Sequence, residues 1–472
     1  MSETWLPLPF DRPLFANLDP DAVIERLTAL ENGFLNELGG HTRFPGMEVF
    51  TTLNDNGRVY LSDFQGDLIA GTSNGRIYRI AQNGTINDVT GVPVSGGGRM
   101  IFAKSPQEMY AAAGGPIVRL RGGKTELLSS SAPLATHVVW IDGYIVANLI
   151  NSQQWFYSNP GQPDQWPALN TEFADSSAAN ITAMLMTPFR ELMLCGTEAV
   201  EQWERITSGN VPFWRRWAMA DAVKCPYVLT FADNGIWTVN RQDELVKMQG
   251  QASAVASGDI GLLLEQIDDW TDAWMGGYPA QPLNIVGQKL LVLQVPHATN
   301  SYGTKGLTIV FDYRQRRFFL LYGWDPTLNL PTRWPGWSHW RLWDEVFIGG
   351  EGVIYRLTPG AYNVAGMPMR WLTRTAHIAK GNATQIKNLR VQLKRGTGTP
   401  GTAATIRIRC RRDAKPFGNW VARSLGVGGA NEQFLEFGSF GTATTHMFEI
   451  ECIDDAEISL IKVEAKTMDI GH

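Results

Sequence analysis

The sequence has little cysteine, little charge and no long apolar run. Its four cysteines, Cys195, Cys225, Cys410 and Cys452, stand alone. No CxxC or CxxH pair occurs, which excludes a structural zinc site of the usual spacing, and a disulfide scaffold finds no framework either. Charged residues make up only 18% of the 472, against 44% hydrophobic and a net charge of −5. Disorder requires the opposite balance. No apolar stretch approaches the ~18 residues of a membrane-spanning helix. Met1 to Phe10 lacks the basic region and apolar stretch of a signal peptide. These absences point to a soluble protein made in a reducing compartment, with no cofactor. A dense basic stripe is missing too. From Gly366 onward there are 15 Lys and Arg against 10 Asp and Glu, while the preceding residues carry 26 against 36. A nucleic-acid partner would not be gripped through a strongly cationic face.

What the chain does have is glycine and aromatic residues: 48 Gly, 21 Phe and 17 Trp. Only one segment has helical grammar. Asp19 is an N-cap, Pro20 takes the first helical position, Val23, Ile24, Leu27 and Leu30 line one face, and Gly33 is the stop. Beyond residue 45 the text is short apolar runs broken by Gly, Asn and Asp, which is strand-and-turn grammar. These runs repeat. Asn74-Gly75-Arg76-Ile77-Tyr78-Arg79-Ile80 returns as Glu351-Gly352-Val353-Ile354-Tyr355-Arg356-Leu357, with looser copies at Asn56–Leu61 and Asn234–Val239. The unit is an apolar strand, a tight turn needing positive φ, and an alternating strand returning beside it.

Strand centres near Ile69, Ala112, Val146, Leu194, Trp237, Leu293 and Phe347 recur mostly at about 35–55 residues, the range of propeller blades. Radial packing of four-stranded sheets would bury both faces of each. A run of hairpins in stacked sandwiches is the alternative. The repeat stops at the turn-rich stretch Ala361–Pro368, and clean alternating strands follow at Leu389–Leu393, Thr405–Cys410, Met447–Cys452 and Ile458–Val463. The expected architecture is all-β: an N-terminal arm over residues 1–45 with a short helix, a six- or seven-bladed β-propeller over 46–365, and a C-terminal β-sandwich over 366–472.

Three enzyme signatures match in letters and fail in context. Gly71-Thr72-Ser73-Asn74-Gly75 fits GxSxG, but a nucleophile elbow needs a strand-to-helix turn and here a strand follows. Gly396-Thr397-Gly398-Thr399-Pro400-Gly401 fits GxGxxG, yet it joins two strands and offers no helix N-terminus to a pyrophosphate. Gly122-Gly123-Lys124-Thr125 resembles the end of a P-loop, with Val118 where the first glycine belongs. None of His41, His137, His297, His339, His377, His446 and His472 has a His or Cys neighbour at metal-ligand spacing. Glu265, Asp268, Asp269 and Asp272 lie together beside Trp270 and Trp274. They read either as a glycosidase carboxylate pair or as a solvated segment with two anchoring aromatics.

The densest feature is the run from Trp324 through Trp334, Trp337 and Trp340 to Trp343. Trp334, Trp337, Trp340 and Trp343 are the candidate interface residues. Indoles stack on sugar rings, anchor protein interfaces, or pack between blades, and composition alone leaves all three open. No catalytic residue is assigned, and the chain is not read as an enzyme.

One set of phrases resembles a known family. It comprises Trp155-Phe156-Tyr157-Ser158-Asn159-Pro160 with Pro163-Asp164-Gln165-Trp166, then Glu191–Thr197, then Val200–Arg205, then Thr207-Ser208-Gly209 and Pro212-Phe213-Trp214-Arg215-Arg216. Asn36–Gly40 and Arg43-Phe44-Pro45-Gly46-Met47 belong with them. Together they resemble the packaged-DNA stabilisation proteins, or tail hub (nozzle) proteins, of short-tailed bacteriophages. The turn after Glu201-Gln202-Trp203 departs from that family's tighter Thr-Gly end. The resemblance implies a virion tail protein assembled in the bacterial host cytoplasm, a homo-hexameric ring below the portal and adaptor ring. Such a ring extends the DNA channel, helps retain packaged DNA, and anchors tail fibres, tailspikes or a needle. Contact with DNA in transit would be weak and non-specific, because each phosphate contact adds affinity and slows passage. Two other readings fit the composition: a propeller that binds or cleaves glycans, and a monomeric protein-binding scaffold.

Overall fold

The computed structural model describes residues 4–8, 30–35, 40–207, 211–278, 290–313, 315–375, 378–393, 404–413, 415–426 and 434–469. Strands dominate. Helix among these residues is confined to a 3-10 turn at Gly258–Ile260 running into Gly261–Glu265.

Seven antiparallel four-stranded units form a β-propeller. Blade one runs from Val59–Phe64 to Ile86–Asp88, blade two from Ile101–Lys104 to Lys124–Leu127, blade three from Val138–Ile141 to Thr171–Phe173. Blade four runs from Ile181–Met186 to Phe213–Met219, blade five from Leu229–Ala232 to Ala252–Val255, blade six from Trp274–Tyr278 to Arg317–Leu320. Blade seven takes three strands, Ser338–Leu342, Glu345–Gly349 and Val353–Thr358, from late in the sequence and its outer strand, Gly46–Thr52, from early in it. The first strand of each blade packs against the first strands of its neighbours, and these seven strands close a ring around a central channel.

The seven apolar centres read from the sequence, Ile69 through Phe347, each fall on the second strand of a different blade. Each of those residues is at most 4% exposed. Second strands lie between flanking blades on both faces, so Met109–Ala112, Gly235–Val239 and most of Glu345–Gly349 are buried without alternation. Outer strands meet solvent, and Ala252–Val255 is exposed along its length.

Two of the four glycine turns sit where the repeat places them. Gly75 (φ +84°) and Gly352 (φ +65°) turn the second strand into the third in blades one and seven. The other two do not. At Asn234 the turn is made by Asp233 and Asn234 (φ 50° and 54°) and joins the first and second strands of blade five. Asn56-Gly57 lies in the connection into blade one, where Asp55 accepts the Gly57 N–H at 2.7 Å. The GxSxG letters form the blade-one hairpin, and Gly122-Gly123 turns the third strand of blade two into the fourth. Gly396–Gly401 lies outside the described residues.

After the propeller, Trp371–Arg374, Ile378–Leu393, Thr405–Arg412, Val421–Ser424, Phe434–Phe437, Gly441–Cys452 and Ser459–Asp469 pair around one apolar core. The long strands Ile378–Leu393 and Gly441–Cys452 pair at one end and diverge at the other into separate layers, giving the sandwich. The described pieces of the N-terminal 45 residues are strands of this same sheet. Thr4–Pro7 pairs with Ser459–Asp469, and so does His41–Arg43.

Most of the helix expected from Asp19 lies outside the described residues, but its expected end is corrected. Leu30–Glu31 and Gly33–Leu35 are strands. Leu30 and Glu31 pair antiparallel with Thr373 and Leu372, and Glu31 pairs parallel with Leu320 of blade six. Cross-strand pairing to two domains outweighs the helical spacing of Leu27 and Leu30, because propensity is a weak prior against tertiary contacts.

Gly75 and Gly66 test the turn argument against each other. Both have positive φ, but a Cβ on Gly75 would run into the Val94 carbonyl, whereas nothing lies within 4 Å of one on Gly66. Gly66→Ala should cost about 1–2 kcal/mol of backbone strain. Gly75→Ala should cost more, read as a larger drop in urea midpoint.

Candidate functional site

The tryptophan run folds into the wall between blades six, seven and one. Trp334 and Trp337 are each 3% exposed. Trp334 packs edge-on to Phe44 at 6.3 Å. Trp337 stands between the guanidinium groups of Arg58 (4.2 Å) and Arg333 (4.3 Å) and donates its indole N–H to Glu351. Trp343, half-buried, donates to the Gly66 carbonyl at 2.9 Å and packs on Phe347. Trp340 faces the central channel with the Lys104 ammonium 5.1 Å above its ring. Three of the four therefore fill the fold, and one lines a cavity.

That cavity occupies about 520 Å³ of the channel, in the size range of small-molecule sites. Inner strands of blades one, two, five, six and seven line it, with Tyr60, Phe102, Thr230, Trp274, His339 and Trp340 in its wall. At its side sits Arg99, which the sequence reading passed over. The only signal was the run Gly96-Gly97-Gly98 immediately before it. These glycines let the chain turn tightly into the inner strand of blade two, with Gly96 and Gly97 at positive φ. Arg99 Nη1 donates to the Trp337 carbonyl at 2.7 Å, and its guanidinium lies 5.0 Å from the Tyr60 ring and 4.7 Å from that of Trp274. Burial pulls its pKa down to about 10. Lys104 and Arg341 in the same wall are each paired, with Asp63 at 2.6 Å and Asp344 at 3.0 Å.

His339 donates its Nε2–H to the Gly277 carbonyl (2.5 Å), and burial pushes its pKa down to about 4. His137, 3% exposed, bonds Thr136 and the Pro226 carbonyl and stacks on Tyr227, whose hydroxyl accepts the Arg99 N–H. Both imidazoles are neutral at pH 7.

Three of the four acids, Asp268, Asp269 and Asp272, make structural contacts. Asp268 accepts from the backbone and hydroxyl of Thr299, which hold its pKa near 2. Asp269 is likewise held low by the Thr271 backbone N–H. Asp272 is paired with Arg58 at 2.5 Å and His297 at 3.1 Å; burial raises its pKa, but these partners outweigh that and hold it low. A glycosidase acid must keep its proton near neutrality, and these three carboxyls are held ionised. Among the described residues, no group of three or more His, Cys, Asp or Glu is placed to hold a metal. No described helix is long and apolar enough to cross a membrane.

A second cleft of about 470 Å³ lies between blades two and three. Its charges are matched internally: Arg119 bonds Glu126 at 2.7 Å and Asp164 at 2.5 Å, Arg121 lies 3.4 Å from Glu108, and Tyr110 donates to Glu108 at 2.9 Å.

No protein-family model matches the chain, and no curated protein matches it in sequence. Solved propellers resemble it loosely. Virginiamycin B lyase from Staphylococcus aureus aligns at 10% identity over 65% of this chain and 97% of its own, with a TM-score of 0.42. The WD40 propeller domain of Doa1 aligns at 9% identity over 66% and 97%, with a TM-score of 0.40. BamB from Moraxella catarrhalis aligns at 8% over 65% and 94%, with a TM-score of 0.39. The architecture stated above rests on the strand pairing of this chain.

Buried neutral histidine makes stability fall with acid. The His137 pKa is pulled from 6.5 down to about 4, chiefly by burial. Between those values the unfolded chain takes up a proton that the folded chain refuses. Stability is therefore greatest above about pH 6.5 and declines toward pH 4, at up to about 1.4 kcal/mol per pH unit for this one group. Urea midpoints at pH 7 and pH 5 should show the decline, and His137→Gln should lessen it, with His339 supplying the part that remains.

Proposed function

We propose that this chain is a subunit of a short bacteriophage tail, a hub or nozzle ring that extends the DNA channel below the portal and adaptor. In this role it helps retain packaged DNA and anchors tail appendages. The observation that carries the reading is the placement of tryptophan. Of the 17, Trp214 alone is exposed, at 65%. It belongs to the phrase Pro212–Arg216, one of those that resemble the tail hub proteins. Phe213 beside it points inward at 2% exposed, where it meets Trp155, Tyr157 and Tyr144 edge-on at 5.2–5.4 Å. Strand alternation thus turns one aromatic residue into the core and the next out to the rim.

Two further exposed aromatics, Phe173 at 51% and Phe189 at 64%, belong to the same pair of blades, as does Leu169 at 91%. Hot spots of association surfaces are enriched in tryptophan, tyrosine and arginine, which makes Trp214 the residue to test. The other resembling phrases support the same reading as scaffold. Trp155, Tyr157, Trp203 and Phe213 share one core between blades three and four. Phe44 and Met47 are buried at the junction with the C-terminal sandwich. The net acidic charge of the residues before Gly366 suits a wall past which DNA slides.

Mass photometry and negative-stain imaging of the purified protein, alone and with portal–adaptor complexes, test the reading. The expected result is a six-fold ring, formed alone or on the adaptor. Trp214→Ala should weaken assembly by about 2 kcal/mol or more while leaving the melting temperature within a few degrees. A monomer that ignores the adaptor would overturn the reading, and so would tight, salt-sensitive binding of duplex DNA by the assembled ring.

A further inference from the structure

The channel cavity presents a cation without a counter-ion. Asp272 contributes to the field around Arg99 but is itself bound to Arg58 and His297. Among the described residues the Arg99 guanidinium has one hydrogen bond, to the Trp337 carbonyl, and no ion pair. A guanidinium carries five N–H donors, so most of its capacity is unused here. Among the described residues, no carboxylate lines the cavity. Arg99 is half-buried; a charge partly withdrawn from water is costly unless it is paired, and two aromatic rings at 4.7–5.0 Å offset only part of that cost.

The remaining wall narrows what would complete the site. Lys104 and Arg341 already have carboxylate partners, so the cavity offers one unmatched positive charge. His339 is neutral at pH 7. One charge suits a monoanion; a phosphate dianion would call for a second free cation. The planar fork of arginine matches a carboxylate with two parallel N–H···O bonds. Tyr60, Met100, Phe102, Trp274 and Trp340 supply an apolar and aromatic surround. We propose that the central channel of the propeller is a binding site for a small organic monocarboxylate with an apolar or aromatic body, held by Arg99. The site is independent of ring assembly, since every residue in it comes from one chain.

Benzoate is the probe, titrated into the full chain by calorimetry, with tryptophan fluorescence reporting on Trp274 and Trp340. The expected result is one saturable site per chain, with benzyl alcohol, the neutral analogue, at least about tenfold weaker. Arg99→Met should weaken benzoate at least about tenfold, and Arg99→Lys should also weaken it, because the charge stays but the fork is lost. Should Arg99→Met fail to fold, Arg99→Lys and the neutral analogue decide. The proposal is overturned if benzoate gives no saturable signal at millimolar concentration, if benzyl alcohol binds equally well, if inorganic phosphate binds more tightly than benzoate, or if Arg99→Lys binds as the parent does. A monomer that binds benzoate would sink the tail reading and leave this one standing. A ring that does not bind it would do the reverse.

Discussion

The strand Gly46–Thr52 closes the molecule. It precedes blade one in the chain yet completes blade seven, pairing Met47 with Leu357 and Thr51 with Ile354 about three hundred residues later. A seven-bladed ring closed in this way joins its ends by a hydrogen-bonded ladder rather than by contact between finished blades. The entropy of so large a closure grows only slowly with loop length. The packing it secures is extensive: Met47, Phe347 and Ile354 are all fully buried at the seam. The channel exists because this pairing holds the first strand of blade seven against that of blade one.

The residues just before that strand bind the propeller to the sandwich. Asn32, at φ 49°, accepts the Tyr322 N–H at its side-chain oxygen and the Phe44 N–H at its backbone oxygen, and donates its side-chain amide to the Arg370 carbonyl. Glu31 is completely buried, and receives Tyr302 and Arg370 at 2.5 Å each. Burial alone would lower the Arg370 pKa, but the Glu31 charge outweighs it and holds the group protonated. Arg43, 1% exposed, donates to the carbonyls of Met369, Ile453, Asp454 and Ala456. Removing one partner of such a buried pair strands the other charge, so these contacts enforce one geometry more than they add net stability. Blade six and the sandwich then share a continuous sheet through Leu30–Glu31.

Aromatic density and function separate in this fold. The tryptophan run that dominates the sequence supplies mainly mortar: Trp334, Trp337 and Trp343 give their indoles to internal packing and internal acceptors. The rim carries a single exposed indole, Trp214, and among the described residues the channel carries one guanidinium without an ion pair, Arg99. Neither is conspicuous in the sequence, because each is marked by what its surroundings omit: a covering blade in one case, a carboxylate in the other.

The propeller repeat was legible, as six or seven blades, because blade stacking buries both faces of every second strand. That demand writes an unbroken apolar run at Ile69, Ala112, Val146, Leu194, Trp237, Leu293 and Phe347, and local composition carries it. The turns at Gly75 and Gly352 were legible for an equally local reason, the positive φ that glycine tolerates. The GxSxG letters were dismissed correctly from the alternation that follows them. Tertiary structure alone decided the rest. The helical spacing through Leu30 yielded to pairing with strands some three hundred residues away, and the turn at Asn234 took a different place in its blade than its letters suggested. Asp268, Asp269 and Asp272 are held ionised by Thr299, Thr271, Arg58 and His297, partners that spacing does not reveal. Arg99 stood out only when five blades met around it, because the lack of a counter-charge among the described residues is a property of the whole wall and not of any stretch of chain.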